Sequence, residues 1–134
     1  MEILVNLDVP DLESAIDFYQ RATELKLARL LFAGTAAELT GASTRVLLLQ
    51  KDSGSIPFPD ASLSRDYQRH WTPVHMDFVV PDLDLATEKA LAAGARLEGA
   101  MQSFVWGRQA CLSDPFGHGF CLLHWQGGAY DEVA

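Results

Sequence analysis

Val9-Pro10-Asp11-Leu12 recurs as Val80-Pro81-Asp82-Leu83, 71 positions on (9 to 80), and this repeated tetrapeptide decides the fold. In each copy an apolar, alternating segment runs into a proline. An aspartate follows it, placed to cap a helix by accepting from the first free backbone amides. The chain therefore reads as a duplicated module. Each half of 134 residues is too short to hold a stable core alone, so the halves must pack together or with halves of another chain.

Working outward from the first copy, residues 3–9 alternate as a strand, with Val5, Leu7 and Val9 on one face and Leu4, Asn6 and Asp8 on the other. Leu12, Ala15, Ile16, Tyr19 and Ala22 then follow at helical spacing. Shorter strands are expected over 27–32, 36–40 and 44–50. The second copy repeats this order. It has a strand over 75–80, a buried helical stripe of Leu83, Ala86, Ala90 and Ala93, and a helix stop at Gly94. Strands over 96–99, 103–112 and 119–125 come next, the last two joined by the reversal Asp114-Pro115-Phe116-Gly117-His118-Gly119.

Each module is thus βαβββ and the fold class is α+β. One domain of two repeats is expected: a first module over about 1–50, a linker over 51–73, a second module over 74–126 and a tail over 127–134. The linker carries Ser, Pro and Asp with scattered aromatics, and its length makes it a candidate lid or ligand-contacting loop.

Composition narrows the function classes. The formal charge of −8 repels phosphate backbones and anionic head groups, which argues against nucleic acid and membrane surfaces as partners. No apolar run is long enough to cross a bilayer, and charged Glu2 and polar Asn6 interrupt the early apolar run, so a cytoplasmic protein is expected. Cys111 and Cys121 fit no Cys-x-x-Cys pattern and no disulfide framework, and both are expected to be reduced.

With the repeat, the Trp106-Gly107-Arg108-Gln109 segment and Asp114-Pro115-Phe116-Gly117-His118 in place, the chain resembles the vicinal oxygen chelate superfamily. That group contains glyoxalase I, extradiol dioxygenases, and the fosfomycin and bleomycin resistance proteins. The resemblance implies two βαβββ modules curled into an incomplete barrel, commonly in a homodimer. It also implies metal ligands on the first and last strand of each module. On the first strands those positions are Leu4 and His75; on the last they are Cys121 and, by the same repeat offset, Gln50.

Leucine cannot ligate, a glutamine carbonyl is a weak donor, and a thiolate favours softer ions than the hard oxygen donors usual in the family. The expectation is therefore a protein without a cofactor. A divalent metal held by His75, Cys121 and Gln50 is the minority reading.

If the metal has gone, the concave face remains a pocket. Strand alternation nominates Asn6, Asp8, Val46, Leu48 and Gln50 from the first module, and His75, Asp77, Cys121, Leu123 and Trp125 from the second. Asp77, two residues from His75, is placed to orient the imidazole, or the two could act as a metal-free acid/base pair. The alternative is a leftover ligand satisfied by its neighbour.

Arg108 is a candidate partner for a ligand carboxylate, or else an edge charge or an intermodule ion pair. Trp106, Trp125 and Trp71 are candidate stacking surfaces or plain packing. Cys111 reads as core, His118 as a turn residue, His70 as linker, and His124 as facing the helix. The functional expectation is a bleomycin-resistance-like protein sequestering a small, cationic or aromatic organic molecule. The alternative is a glyoxalase (lactoylglutathione lyase)-like or dioxygenase-like enzyme with a non-standard ligand set.

Overall fold

The computed structural model describes residues 1–134 and divides into two compact units, Met1–Gln68 and Arg69–Ala134. The first unit runs β1 (Leu4–Val9), α1 (Leu12–Ala22), β2 (Lys26–Leu31), β3 (Ala36–Thr40) and β4 (Arg45–Gln50). Its mixed sheet has the order β1-β4-β3-β2, with β1 and β4 parallel and the other pairs antiparallel. Parallel neighbours need a long crossover, and α1 with the two intervening strands supplies it. The Asp11 carboxylate accepts from Ser14 N at 2.8 Å, which opens α1 where the repeated tetrapeptide predicts. Leu12, Ala15, Phe18, Tyr19 and Ala22 form its buried stripe, while Ile16 is only half-buried.

The second unit repeats the plan with β5 (Met76–Val79), α2 (Leu83–Ala93), β6 (Arg96–Leu97), β7 (Gln102–Phe104), β8 (Gly107–Ser113) and β9 (Gly119–Trp125). Its order is β5-β9-β8-β6, with β7 also on β8, and β5 runs parallel to β9. Asp82 caps α2 through Leu85 N at 2.9 Å, and Gly94, at φ +117°, ends the helix in a left-handed conformation.

Two expectations are corrected. The single strand read over 103–112 is a hairpin, β7 and β8 folded back at Val105-Trp106. Gly107 allows it: its φ is +155°, and a Cβ there would stand 2.3 Å from the carbonyl oxygen of His124. The face assigned to β4 is also shifted by one residue. The ladder pairs Asn6 with Leu47, Leu7 with Leu48 and Val9 with Gln50. Val46, Leu48 and Gln50 therefore share the helix-covered face of Val5, Leu7 and Val9.

The cause lies in the loops. The partner of Asp77 is Cys121, whereas the partner of Asn6 is Leu47, so the last strands are related by 74 positions (47 to 121) and not by 71. The second copy is three residues longer before its last strand.

That strand is set by the reversal from Asp114. The Asp114 side chain has no exposed area, accepts from Phe116 N at 2.8 Å and His118 N at 2.9 Å, and meets His118 Nδ1 at 2.7 Å. Removing a buried carboxylate that satisfies two amides leaves both orphaned. Asp114→Ala is expected to lower the unfolding free energy by about 3 kcal/mol, read by urea denaturation; a loss well below 1 kcal/mol would show that the turn holds without it.

Candidate functional site

In the second unit the ladders put Asp77, Cys121 and Cys111 side by side on one face of the sheet, and Val79, Leu123 and Gln109 in the next row. His75 stands just ahead of β5 and reaches back, its Nε2 3.2 Å from Asp77 Oδ1. Donor atoms of His75, Asp77 and Cys121 all lie within 4.8 Å of one another. His75 and Asp77 are open to solvent while Cys121 is buried. The Gln109 side-chain amide donates to Cys111 Sγ at 3.1 Å and to Cys121 Sγ at 3.3 Å, and the two sulfurs are 3.4 Å apart.

His75, Gln109, Cys111 and Cys121 line a cleft of about 280 Å³ together with Arg69, Trp71 and Glu98, and Asp77 lies outside that lining. Arg69 closes a two-bonded ion pair on Glu98, at 2.6 and 3.1 Å. The guanidinium hydrogen bond holds the Glu98 carboxyl below its ordinary value against the opposing effect of burial. Arg69 also lies flat on β9 because residue 119 is glycine; a Cβ there would stand 2.5 Å from its Nη2.

The corresponding face of the first unit is built differently. Leu4, Asn6 and Leu47 stand where His75, Asp77 and Cys121 stand in the second. The polar groups beside them are spent on one another. Buried Glu38 takes Arg29 at 3.1 Å and Arg45 at 3.3 Å, with Arg29's hydrogen bond the main cause of its lowered pKa. Asp8 is held by Arg65 Nε at 2.7 Å, which ties the loop after β4 down onto β1.

Of the nominated residues, the structure brings together His75, Asp77 and Cys121, with Leu123 in the adjoining row. Gln50 is not with them. It lies on the opposite face from Asn6, and its Oε1 accepts from Leu12 N at 3.2 Å at the start of α1, a helix-capping role. Arg108 is likewise on the helix side, forked onto Asp84 of α2 at 2.9 Å twice, an ion pair within the second unit and not one between modules. That pairing lowers the Asp84 pKa. His124 is on the same side, its Nδ1 3.1 Å from Val80 O, as alternation predicted.

Trp106 and Trp125 belong to an aromatic cluster. Trp106 stacks on Phe104 at 4.9 Å, and Trp125 meets Tyr130 edge-on at 4.7 Å. Reasoning from sequence missed Arg69, Glu98, Gln109 and Cys111. Only the last two carried a signal: counting back from the Asp114 reversal sets Cys111 opposite Cys121 and Gln109 opposite Leu123.

Cys121 is a protonated thiol. Burial, helped by the neighbouring Cys111, pushes its pKa from 9.0 to about 12, with the Gln109 hydrogen bond opposing. Being raised in the fold, it contributes stability below the ordinary thiol value and loses it as pH climbs toward 12. In a Cys111→Ser variant, thiolate ultraviolet absorbance is expected to develop well above pH 9, since burial is the larger cause; a midpoint at the ordinary value of 9.0 would contradict this.

Comparison with known proteins agrees with this architecture. The model of the glyoxalase-like domain family matches residues 4–123. The chain is 33% identical over 133 residues to the uncharacterized protein Rv0887c of Mycobacterium tuberculosis, aligning 92% of this chain with 71% of that one. It is equally similar to Mb0911c of Mycobacterium bovis, of which it covers 79%.

Among solved structures it resembles TioX from Micromonospora sp. ML1, with a TM-score of 0.71 at 20% identity over 94% of this chain and 99% of that one. The fosfomycin resistance protein FosX from Listeria monocytogenes gives 0.70 at 20% identity, over 94% and 93%. The lactoylglutathione lyase from Agrobacterium tumefaciens gives 0.62 at 17%, over 92% of each. By the repeated strand–helix–sheet plan of its two units and the family match, the chain belongs to the glyoxalase-like domain family of the vicinal oxygen chelate superfamily.

Proposed function

We propose that the protein binds a small aromatic or cationic organic molecule in the cleft of its second unit, without a resident catalytic metal. One observation carries this reading: the cleft has in its lining the indole of Trp71, 81% exposed, with His75 and a buried thiol. An open indole offers stacking and cation–π attraction. At about 280 Å³ the cleft suits a small ligand. The surrounding charge of −8 favours cations over anions at long range.

The donor set supports the metal-free reading. A catalytic site needs several deprotonated ligands. Here the second unit offers a single histidine, an aspartate already paired with it and a buried cysteine, and the first unit has two leucines and an asparagine at the matching positions.

A thermal-shift panel of planar aromatics and organic cations tests the proposal. A member present at 100 times its dissociation constant is expected to stabilise by roughly 2.7 kcal/mol, and Trp71→Ala to weaken that binding about tenfold. An inert panel, or undiminished binding by the variant, would count against it.

A second reading rests on the proximity of His75, Asp77 and Cys121 within 4.8 Å. Nitrogen, oxygen and sulfur donors together suit a borderline ion such as zinc, which would supply Lewis-acid chemistry to a lyase-like reaction, while a dioxygenase-like one would need a redox-active ion such as iron in its place. The same His75–Asp77 pair also has the makings of a metal-free acid/base couple. Stoichiometric metal retained through purification without chelator, and lost in His75→Ala, would put the metal reading in place of the first.

The proposal includes a homodimer. It is supported by the edge strand β2 and the turn after it, which leave Leu27, Leu30 and Phe32 exposed. Light scattering is expected to give twice the chain mass, and a monomeric mass would remove this part.

A further inference from the structure

We propose that Cys111 and Cys121 are a reversible dithiol–disulfide pair, oxidised by a hydroperoxide that enters through the cleft. The two residues are direct partners across β8 and β9, with sulfurs 3.4 Å apart. Their backbone position suits a bridge. Trp106 accepts from Gln126 N and His118 accepts from Asp114 N, each at 2.9 Å, so even-numbered residues of β8 sit in the hydrogen-bonded pairs of the ladder. Cys111 falls in the alternate, non-hydrogen-bonded set, where opposed Cα atoms approach to about 4.5 Å. Disulfides span Cα separations of roughly 4.4–6.8 Å, so closure needs side-chain rotation and no movement of strands.

The surroundings divide the two roles. Cys111 lines the cleft and is half-buried, while Cys121 lies deeper. The Gln109 amide and the Cys121 S–H both donate to the Cys111 sulfur. Cys111, the more open of the two, is the sulfur a peroxide entering the cleft reaches first and is the attacking group. Cys121, buried beneath it with its sulfur 3.4 Å away, is the resolving group.

The thiolate of Cys111 attacks the hydroperoxide. An S–O bond forms, the O–O bond breaks, and the leaving oxide takes up the thiol's former proton as water or alcohol. The Cys121 sulfur then attacks the sulfenic sulfur. The S–S bond forms, the S–O bond breaks, and hydroxide departs as water with the Cys121 proton. Two thiols lose two electrons and two protons, and the peroxide is reduced. A dithiol reductant reverses the bond by exchange.

Closure would take from the cleft its thiol proton and the sulfur acceptors of Gln109. Ligand binding there should therefore depend on redox state, a consequence that rests on the proposed function. The bond itself does not.

The test uses the whole protein. With hydrogen peroxide at low molar excess, the free-thiol count is expected to fall from two to none, with an intact mass lower by about 2 Da and recovery on adding dithiothreitol. Cys121→Ser should accumulate a sulfenic acid at Cys111 that dimedone traps, and Cys111→Ser should keep its remaining thiol. Circular dichroism checks that both variants fold, and if either does not, the wild-type thiol count and mass decide alone. Two thiols persisting under peroxide, bridges only between chains, or over-oxidation of Cys111 without a bridge would overturn the proposal. A bridge that forms but leaves ligand binding unchanged would spare the pair and count against the cleft as the binding site.

Discussion

The parallel pairing of the first and last strands of each unit is the constraint on which the rest depends. It is made possible by a helix that starts within three residues of the first strand's end, and Asp11 and Asp82 start it. Once β5 lies along β9, the side chains before and within β5 come to stand beside those of β9. His75, Asp77 and Cys121 are far apart in sequence and neighbours only because of that ladder. The antiparallel pairing of β8 with β9 then adds Gln109 and Cys111 from the other side.

Duplication explains how one polypeptide carries a sealed face and an open one on the same plan. In the first unit, arginines Arg29, Arg45 and Arg65 neutralise Glu38 and Asp8. In the second, Arg69 matches Glu98 at the cleft and Arg108 matches Asp84 on the helix side, while the His75–Asp77 pair faces solvent. Exposed ion pairs add little stability, so pairs such as Arg69–Glu98 are better read as shaping a surface than as holding the fold.

Much of this was legible in the sequence because it is local. Cap aspartates, the glycine stop at Gly94 and the last strand over 119–125 depend on neighbours a few residues away and are found where the spacing puts them, whereas the helical stripes are met in part: α2 buries Leu83, Thr87 and Ala90 and leaves Ala86 and Ala93 half-buried. What failed was whatever depended on counting across loops. A uniform offset of 71 assigned Gln50 as the partner of Cys121, whereas three extra residues make it Leu47, and a strand's faces alternate with every residue. The hairpin at Val105-Trp106 was missed because Gly107 reads equally as a strand residue until its positive φ is known. Arg69 lay in the linker, with no periodicity to read, and Glu98 in the short strand expected over 96–99, and only the fold joins them.

Gly119 has a consequence beyond its place in the turn. Because the guanidinium of Arg69 occupies the volume that any side chain at 119 would need, the mouth of the cleft is governed by a single missing methyl group. A larger residue there would push the arginine off Glu98 and reshape the entrance while leaving the strand ladder beneath it intact. Position 119 thus adjusts the entrance separately from the ladder that holds β9 in its sheet.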